Sequence, residues 1–108
     1  MGATFKENVS DIRNSKVADV ITELKEFGVS VDVVDPYASP QEISNEYDFE
    51  LSESIDGPYH GIVVAVNHKE YAQMKESYFQ SITHPEAIFA DLKGIFRGKI
   101  STLNYWSL

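Results

Sequence analysis

The chain contains no cysteine, which excludes disulfides, thiolate metal ligands and cysteine nucleophiles together. No apolar run approaches the ~20 residues that a membrane helix needs, and no Gly-x-Gly-x-x-Gly stretch is present to cradle a dinucleotide pyrophosphate at a helix start. His60, His68 and His84 lack the spacing of metal ligands, so no metal site is expected. Cations are scarce: nine Lys and Arg stand against 17 Asp and Glu, for a net charge of −8. Over most of such a surface the electrostatic term opposes nonspecific binding to nucleic acid or anionic lipid, so neither is expected as a partner. The opening residues show no basic segment followed by an apolar run and a small-residue cleavage site. No export signal is therefore expected, and with the lack of cysteine the expected setting is cytoplasmic.

What is present fits one folded domain. The 108 residues are 43% hydrophobic and 24% charged, enough for a single core with helices on a sheet and too apolar for a disordered chain. The cations are unevenly placed. Six of the nine lie in two short stretches, Lys6, Arg13 and Lys16 near the start and Lys93, Arg97 and Lys99 near the end, whereas Asp32 to Asp56 holds eight acids and neither Lys nor Arg. The acidic stretch reads as a solvated face. The two basic stretches matter if the fold joins them.

The chain is organised around its first fifteen residues, which read as an anion-binding loop running into a helix. Asn14 or Ser15 can cap the first turn, whose free backbone N–H groups favour an anion, and Lys6 and Arg13 add charge on either side. Val17, Val20, Ile21, Leu24 and Phe27 then recur at helical spacing. Gly28 closes that helix, and Val29, Val31 and Val33 alternate with Ser30 and Asp32 as a strand that Asp35-Pro36 ends. Ser39-Pro40-Gln41-Glu42 has a capping-box pattern with proline at the first helical position, predicting a short helix to about Tyr47. Phe49 and Leu51 fit a short edge strand. Ile62-Val63-Val64-Ala65-Val66 reads as an interior strand covered on both faces. Lys69 to Phe79 reads as one helix with Tyr71, Met74 and Tyr78 inward, and Ala87 to Ala90 as the last buried strand. In an open parallel sheet the carboxyl ends of the strands face the ligand crevice, which would put Asn67-His68 and Lys93 on the edge that carries the opening loop. The aromatic tail, Leu103 to Leu108, is expected to dock on the core or on a partner.

Thr4-Phe5-Lys6-Glu7-Asn8 followed by Asp11-Ile12-Arg13-Asn14-Ser15 closely resembles the opening of the carboxyl-terminal domain of the nucleotide-sugar dehydrogenases, the UDP-glucose/GDP-mannose dehydrogenase family. Asp91-Leu92-Lys93 resembles the family's later Asp-x-basic motif, and Ala65-Val66-Asn67-His68 its Ala-Val-x-His segment. The likeness spans nearly the whole chain and is strongest in the first forty residues. The wording of the opening and Asp91-Leu92-Lys93-Gly94-Ile95 look closest to the UDP-N-acetylhexosamine branch.

The resemblance implies a Rossmann-like, three-layer α/β domain with a mostly parallel sheet, lacking its first strand, because the family's apolar strand before the opening motif is represented here only by Met1-Gly2-Ala3. It implies that residues 1–108 are the UDP-sugar-binding part of a larger enzyme that oxidises the sugar's 6-position alcohol with NAD. Phe5, Lys6 and Lys93 would contact the UDP-sugar, and Arg13 the NAD cofactor, which an absent amino-terminal domain mainly holds. Arg13 also has Asp11 and Glu7 as ion-pair partners within reach, and the two roles can alternate. For His68 hydrogen bonding at a strand end is favoured over catalysis, and Asp35 lacks the acidic neighbours of a phosphoacceptor. The family's catalytic cysteine, lysine and glycine-rich loop have no counterpart here, so no catalytic residue is assigned and the chain alone should be inactive. A sheet short of an interior strand leaves strand edges open, so a homo-oligomer is expected. The other readings are a free-standing α/β nucleotide-binding module and an oligomerisation domain whose aromatic tail makes the contact.

Overall fold

The computed structural model describes residues 1–2, 16–47 and 49–107. The sequence-derived sites Phe5, Lys6 and Arg13, and the proposed caps Asn14 and Ser15, lie outside the described residues. Helix α1 spans Lys16–Glu26. Its buried side is centred on Ala18 and Ile21, with Val17 packed beside them, so the apolar stripe is rotated from the expected one. Val20 falls on the margin and Phe27, beyond the last helical residue, is 84% exposed. The chain unwinds there: Gly28 adopts φ +82°, and the Val29 N–H reaches back to Leu24 O at 3.1 Å.

Helix α2, Pro40–Glu46, forms as its local signals require. Proline opens it, and the Ser39 side chain accepts from the Glu42 N–H at 3.4 Å. Ile43 is its fully buried residue and joins Ala18, Ile21, Val33, Ala38 and Phe49 in one core cluster. The expected strand around Val31 and the edge strand around Leu51 shrink to one parallel bridge, Val33 with Leu51.

The regular sheet has three parallel strands in the order β1 (Tyr59–Val64), β2 (Thr83–Asp91) and β3 (Asn104–Ser107). Register sets Val64 beside Asp91 and Asp91 beside Ser107. Met1 and Gly2 thread between the Val33 segment and β1. The Gly2 N–H donates to Val34 O at 2.9 Å, Met1 O accepts from the Ala65 N–H at 2.9 Å, and the Met1 amino group donates to Val63 O at 2.6 Å. The position of the expected first strand is thus held by two residues, at its carboxyl end.

Two expectations for the second half change. The single helix over Lys69 to Phe79 is two, α3 (Lys69–Ala72) and α4 (Glu76–Ser81). The break at Gln73 to Lys75 shifts the phase, so Phe79 is buried and Tyr78 is exposed, while Tyr71 and Met74 stay inward. The buried strand is longer and one-sided: Ala87 and Phe89 enter the core beneath Phe79 and Phe96, but Ile88 is 58% exposed. Nor is it the last strand, for the tail docks on the core as β3. The ring centroids of Phe79, Phe89 and Phe96 lie 4.8–5.4 Å apart, each pair near edge-to-face, the arrangement that aromatic quadrupoles favour.

The approach to β3 is fixed by one carboxylate. Glu76, at the start of α4, accepts from the backbone N–H groups of Ser101, Thr102 and Leu103 at 2.8–3.1 Å and from the Ser101 hydroxyl at 3.2 Å. Desolvation pushes this carboxyl up, but the donors together outweigh it and hold the group below the usual glutamate range.

Candidate functional site

Parallel strands carry their carboxyl ends to one edge, and four segments emerge there: Gly2, Asp35 to Ala38, Ala65 to His68, and the turn that begins at Asp91. Two bonds to consecutive residues at the end of β1 set the spacing. The Leu92 N–H donates to Val64 O at 3.0 Å on one side, and the Ala65 N–H donates to Met1 O on the other. Lys93 and the start of the opening loop therefore flank the same strand end. Gly2 is required at its place, since it has φ +96° and a Cβ would lie 2.7 Å from the Val66 Cβ.

At the Asp35 corner, the side chains of Asp35 and His68 are both fully buried and meet at 2.9 Å, Nε2 to Oδ2. The other Asp35 oxygen accepts from the N–H groups of Tyr37 (2.7 Å) and Ala38 (3.0 Å), an Asx turn that bends the chain after Pro36. The His68 ring lies between those of Tyr37 and Tyr71, at centroid distances of 4.7 and 5.4 Å. Tyr37 donates to Glu70 Oε1 at 3.0 Å and Tyr71 to Val34 O at 3.4 Å. Burial pushes the Tyr71 phenol up, and the nearby Asp35 and Glu70 carboxylates add to the shift. His68 thus has the strand-end structural role expected of it, and Asp35 is committed to holding it. The two are 33 residues apart in sequence; the turn at Asp35-Pro36 and a strand-end role for His68 were each legible, but not their pairing.

The Asp91 corner is built from the same residue type. Asp91 is fully buried and accepts from the N–H groups of Ile95 (3.1 Å) and Phe96 (2.8 Å) and from the Tyr105 hydroxyl (2.6 Å). Lys93 stands exposed between these anchors, with Gly94 at φ +70° beside it. Arg97 folds back over the turn: a Cβ at Gly94 would lie 2.8 Å from its Nε, and that Nε donates to Ser107 Oγ at 3.4 Å. Two cations thus share one short turn at the carboxyl edge. A cleft of about 430 Å³ beside Asp35 is lined by Gln41, Ser44, Glu50 and Glu53. Its acids suit a diphosphate poorly, whereas the Lys93 turn presents two cations at the same edge.

No helix among the described residues is long and apolar enough to cross a membrane, and no group of three or more His, Asp or Glu side chains among them could hold a metal ion.

Residues 1–98 match the model of the UDP-glucose/GDP-mannose dehydrogenase family, UDP binding domain. Over 94 residues, 86% of this chain, the sequence is 39% identical to the UDP-N-acetyl-D-glucosamine 6-dehydrogenase of Pseudomonas aeruginosa. Over 96 residues, 88% of the chain, it is 38% identical to protein CapL of Staphylococcus aureus. The chain spans 22% of the length of each of these relatives. Its fold is similar to that of the UDP-N-acetyl-mannosamine dehydrogenase Cap5O of Staphylococcus aureus, with a TM-score of 0.76 at 18% identity over 99% of this chain and 24% of that one. The chain belongs to the UDP-glucose/GDP-mannose dehydrogenase family, with residues 1–98 matching that family's UDP binding domain.

Proposed function

We propose that this chain is the nucleotide-sugar-binding part of an NAD-dependent UDP-sugar 6-dehydrogenase, of the UDP-N-acetylhexosamine branch, that makes uronate precursors of surface or capsular polysaccharide in the cytoplasm. The observation that supports this reading is that Leu92, next to Lys93, and Met1-Gly2, from which the opening loop departs, flank the end of β1 on its two sides. The two segments that resemble the family's sugar-nucleotide contacts thus leave from either side of one strand end. Phe5, Lys6 and Lys93 are assigned to the UDP-sugar. A flexible ammonium suits a diphosphate oxygen, and a guanidinium at Arg13 suits the pyrophosphate of NAD.

The residues described do not make a dinucleotide site of their own. The sequence has no Gly-x-Gly-x-x-Gly, and helices α2, α3 and α4 open on Ser39-Pro40, His68 and Lys75 rather than on a glycine loop. NAD is assigned mainly to a separate amino-terminal domain. The names of the relatives support the substrate class, and the chain's span of 22% of their length supports the larger enzyme.

Calorimetric titration of the 108-residue chain with UDP, UDP-N-acetylglucosamine and NAD tests the assignment. UDP and its sugar should bind, NAD alone should not, and Lys93→Ala should weaken UDP roughly tenfold, the loss of one charge-assisted hydrogen bond. Absence of UDP binding, or equal binding by Lys93→Ala, would overturn it. An antibody against the chain should detect a native polypeptide several-fold heavier than 12.2 kDa. Self-association of the chain is part of the proposal, and a monodisperse monomer in light scattering across a concentration series would count against that part.

A further inference from the structure

The geometry points to Asp91 and Tyr105 as positioning residues for the Lys93 turn, so that strand β3, which lies beyond the family-matched residues, is a working part of the anion site. This rests on the nucleotide-binding reading of Lys93 given above.

The turn hangs from few points. Its start is pinned by the Leu92 N–H on Val64 O, and its far side by Phe96, whose ring is fully buried. Between them Asp91 closes the loop on itself through the N–H groups of Ile95 and Phe96. The orientation of the Asp91 carboxylate therefore sets where the three intervening residues, Lys93 among them, emerge. That orientation is fixed from outside the turn by the Tyr105 hydroxyl, at 2.6 Å on the oxygen that also takes the Phe96 N–H. A short O–H···O⁻ bond is among the stronger hydrogen bonds a protein makes. Desolvation and the Asp91 bond both push the Tyr105 phenol up, so it stays protonated and remains a donor at neutral pH.

The strand period adds a second link. Side chains two apart on a strand share a face, so Tyr105 and Ser107 both point to one side of β3 and Trp106 to the other. Ser107 accepts from Arg97 on that side. One face of β3 thus holds the acid that shapes the turn and one of its two cations. Polar residues at alternate positions of an edge strand are commonplace, but here each meets a partner in the same seven-residue turn.

Tyr105→Phe removes one oxygen and keeps the ring that packs at 6.2 Å from Phe89. In that variant, amide exchange at Ile95 and Phe96 should quicken about tenfold while exchange at Val64 and Phe89 stays as in the parent. UDP affinity, measured by calorimetry on the same samples, should fall about three- to tenfold, and melting should change little. Tyr105→Leu, which loses both oxygen and ring, should lower the melting temperature as well, and the Phe substitution should restore melting but not affinity. Unchanged exchange at Ile95 and Phe96 in Tyr105→Phe would overturn the proposal. So would parental UDP affinity in Tyr105→Phe alongside lost affinity in Lys93→Ala. If the parent chain itself fails to bind UDP, the nucleotide reading falls instead, and the exchange rates still decide whether Tyr105 sets the turn.

Discussion

Two buried aspartates stand at the same edge of this molecule, and their partners differ. Asp35 uses one oxygen to fold its own loop and the other to hold His68, a side chain that is itself enclosed between two tyrosine rings. Asp91 uses both oxygens to fold the turn ahead of it and holds a tyrosine hydroxyl as well. The first arrangement turns inward and ties the segment after Val33 to the end of β1. The second turns outward and displays Lys93 and Arg97. A carboxylate satisfied by backbone N–H groups can therefore serve as core or as scaffold, according to what its last partner is attached to.

The comparison can be broken from the Asp91 side first. Asp91→Ala strips the acceptor from two backbone N–H groups and one phenol, and with about 1–3 kcal/mol for each buried polar group left unsatisfied, a loss of at least about 3 kcal/mol is expected in urea unfolding. The same variant should lose UDP binding under conditions where it remains folded. His68→Ala removes the side-chain partner on one Asp35 oxygen and leaves a gap between Tyr37 and Tyr71, for a smaller loss of about 1–3 kcal/mol. Its UDP affinity should stay near that of the parent, which separates the inward corner from the outward one. A stability loss at His68 equal to that at Asp91, together with lost UDP binding, would erase the distinction.

The smallest expected effect sharpens the comparison with a half-buried carboxylate. Glu76 has a folded pKa below its unfolded value, so it binds fewer protons when folded, and its contribution is present above the ordinary glutamate range and lost as pH falls through the folded value. Glu76→Gln should therefore cost under about 1 kcal/mol at neutral pH, as expected of a solvent-screened group. The difference in melting temperature between parent and variant should shrink steadily below pH 4.5, the unperturbed value. A difference independent of pH would mean that the Ser101 to Leu103 loop is held by shape alone.

Much of this was legible where the signal was local. Ser39-Pro40-Gln41-Glu42 announced α2 because capping acts within four residues, and the apolar run Ile62 to Val66 announced a strand there, although β1 runs from Tyr59 to Val64 and Ala65-Val66 lie past its end. The parallel sense of the sheet was expected from that run, and the aromatic tail was expected to dock on the core or on a partner. Elements that depend on distant partners were misjudged. β3 has four residues, Asn104-Tyr105-Trp106-Ser107, and becomes a strand because β2 offers it an edge. The break between α3 and α4 leaves no proline or glycine in the sequence to mark it. Val20 and Phe27 fit the stripe of α1 but not the side that packs. At the proposed site, Lys93 was singled out by resemblance. The same motif includes Asp91, but neither its part in shaping the turn nor its partner Tyr105 was legible, since the two lie 14 residues apart and meet only through strand pairing.

The chain has a single tryptophan, Trp106, half exposed on β3 between the two residues that face the Lys93 turn. Its indole is consequently an optical probe placed by the protein itself. If the turn tightens around an anion as proposed above, Tyr105 and Ser107 on either side of Trp106 should be constrained, and a shift in its emission on UDP titration should report that change without any added label.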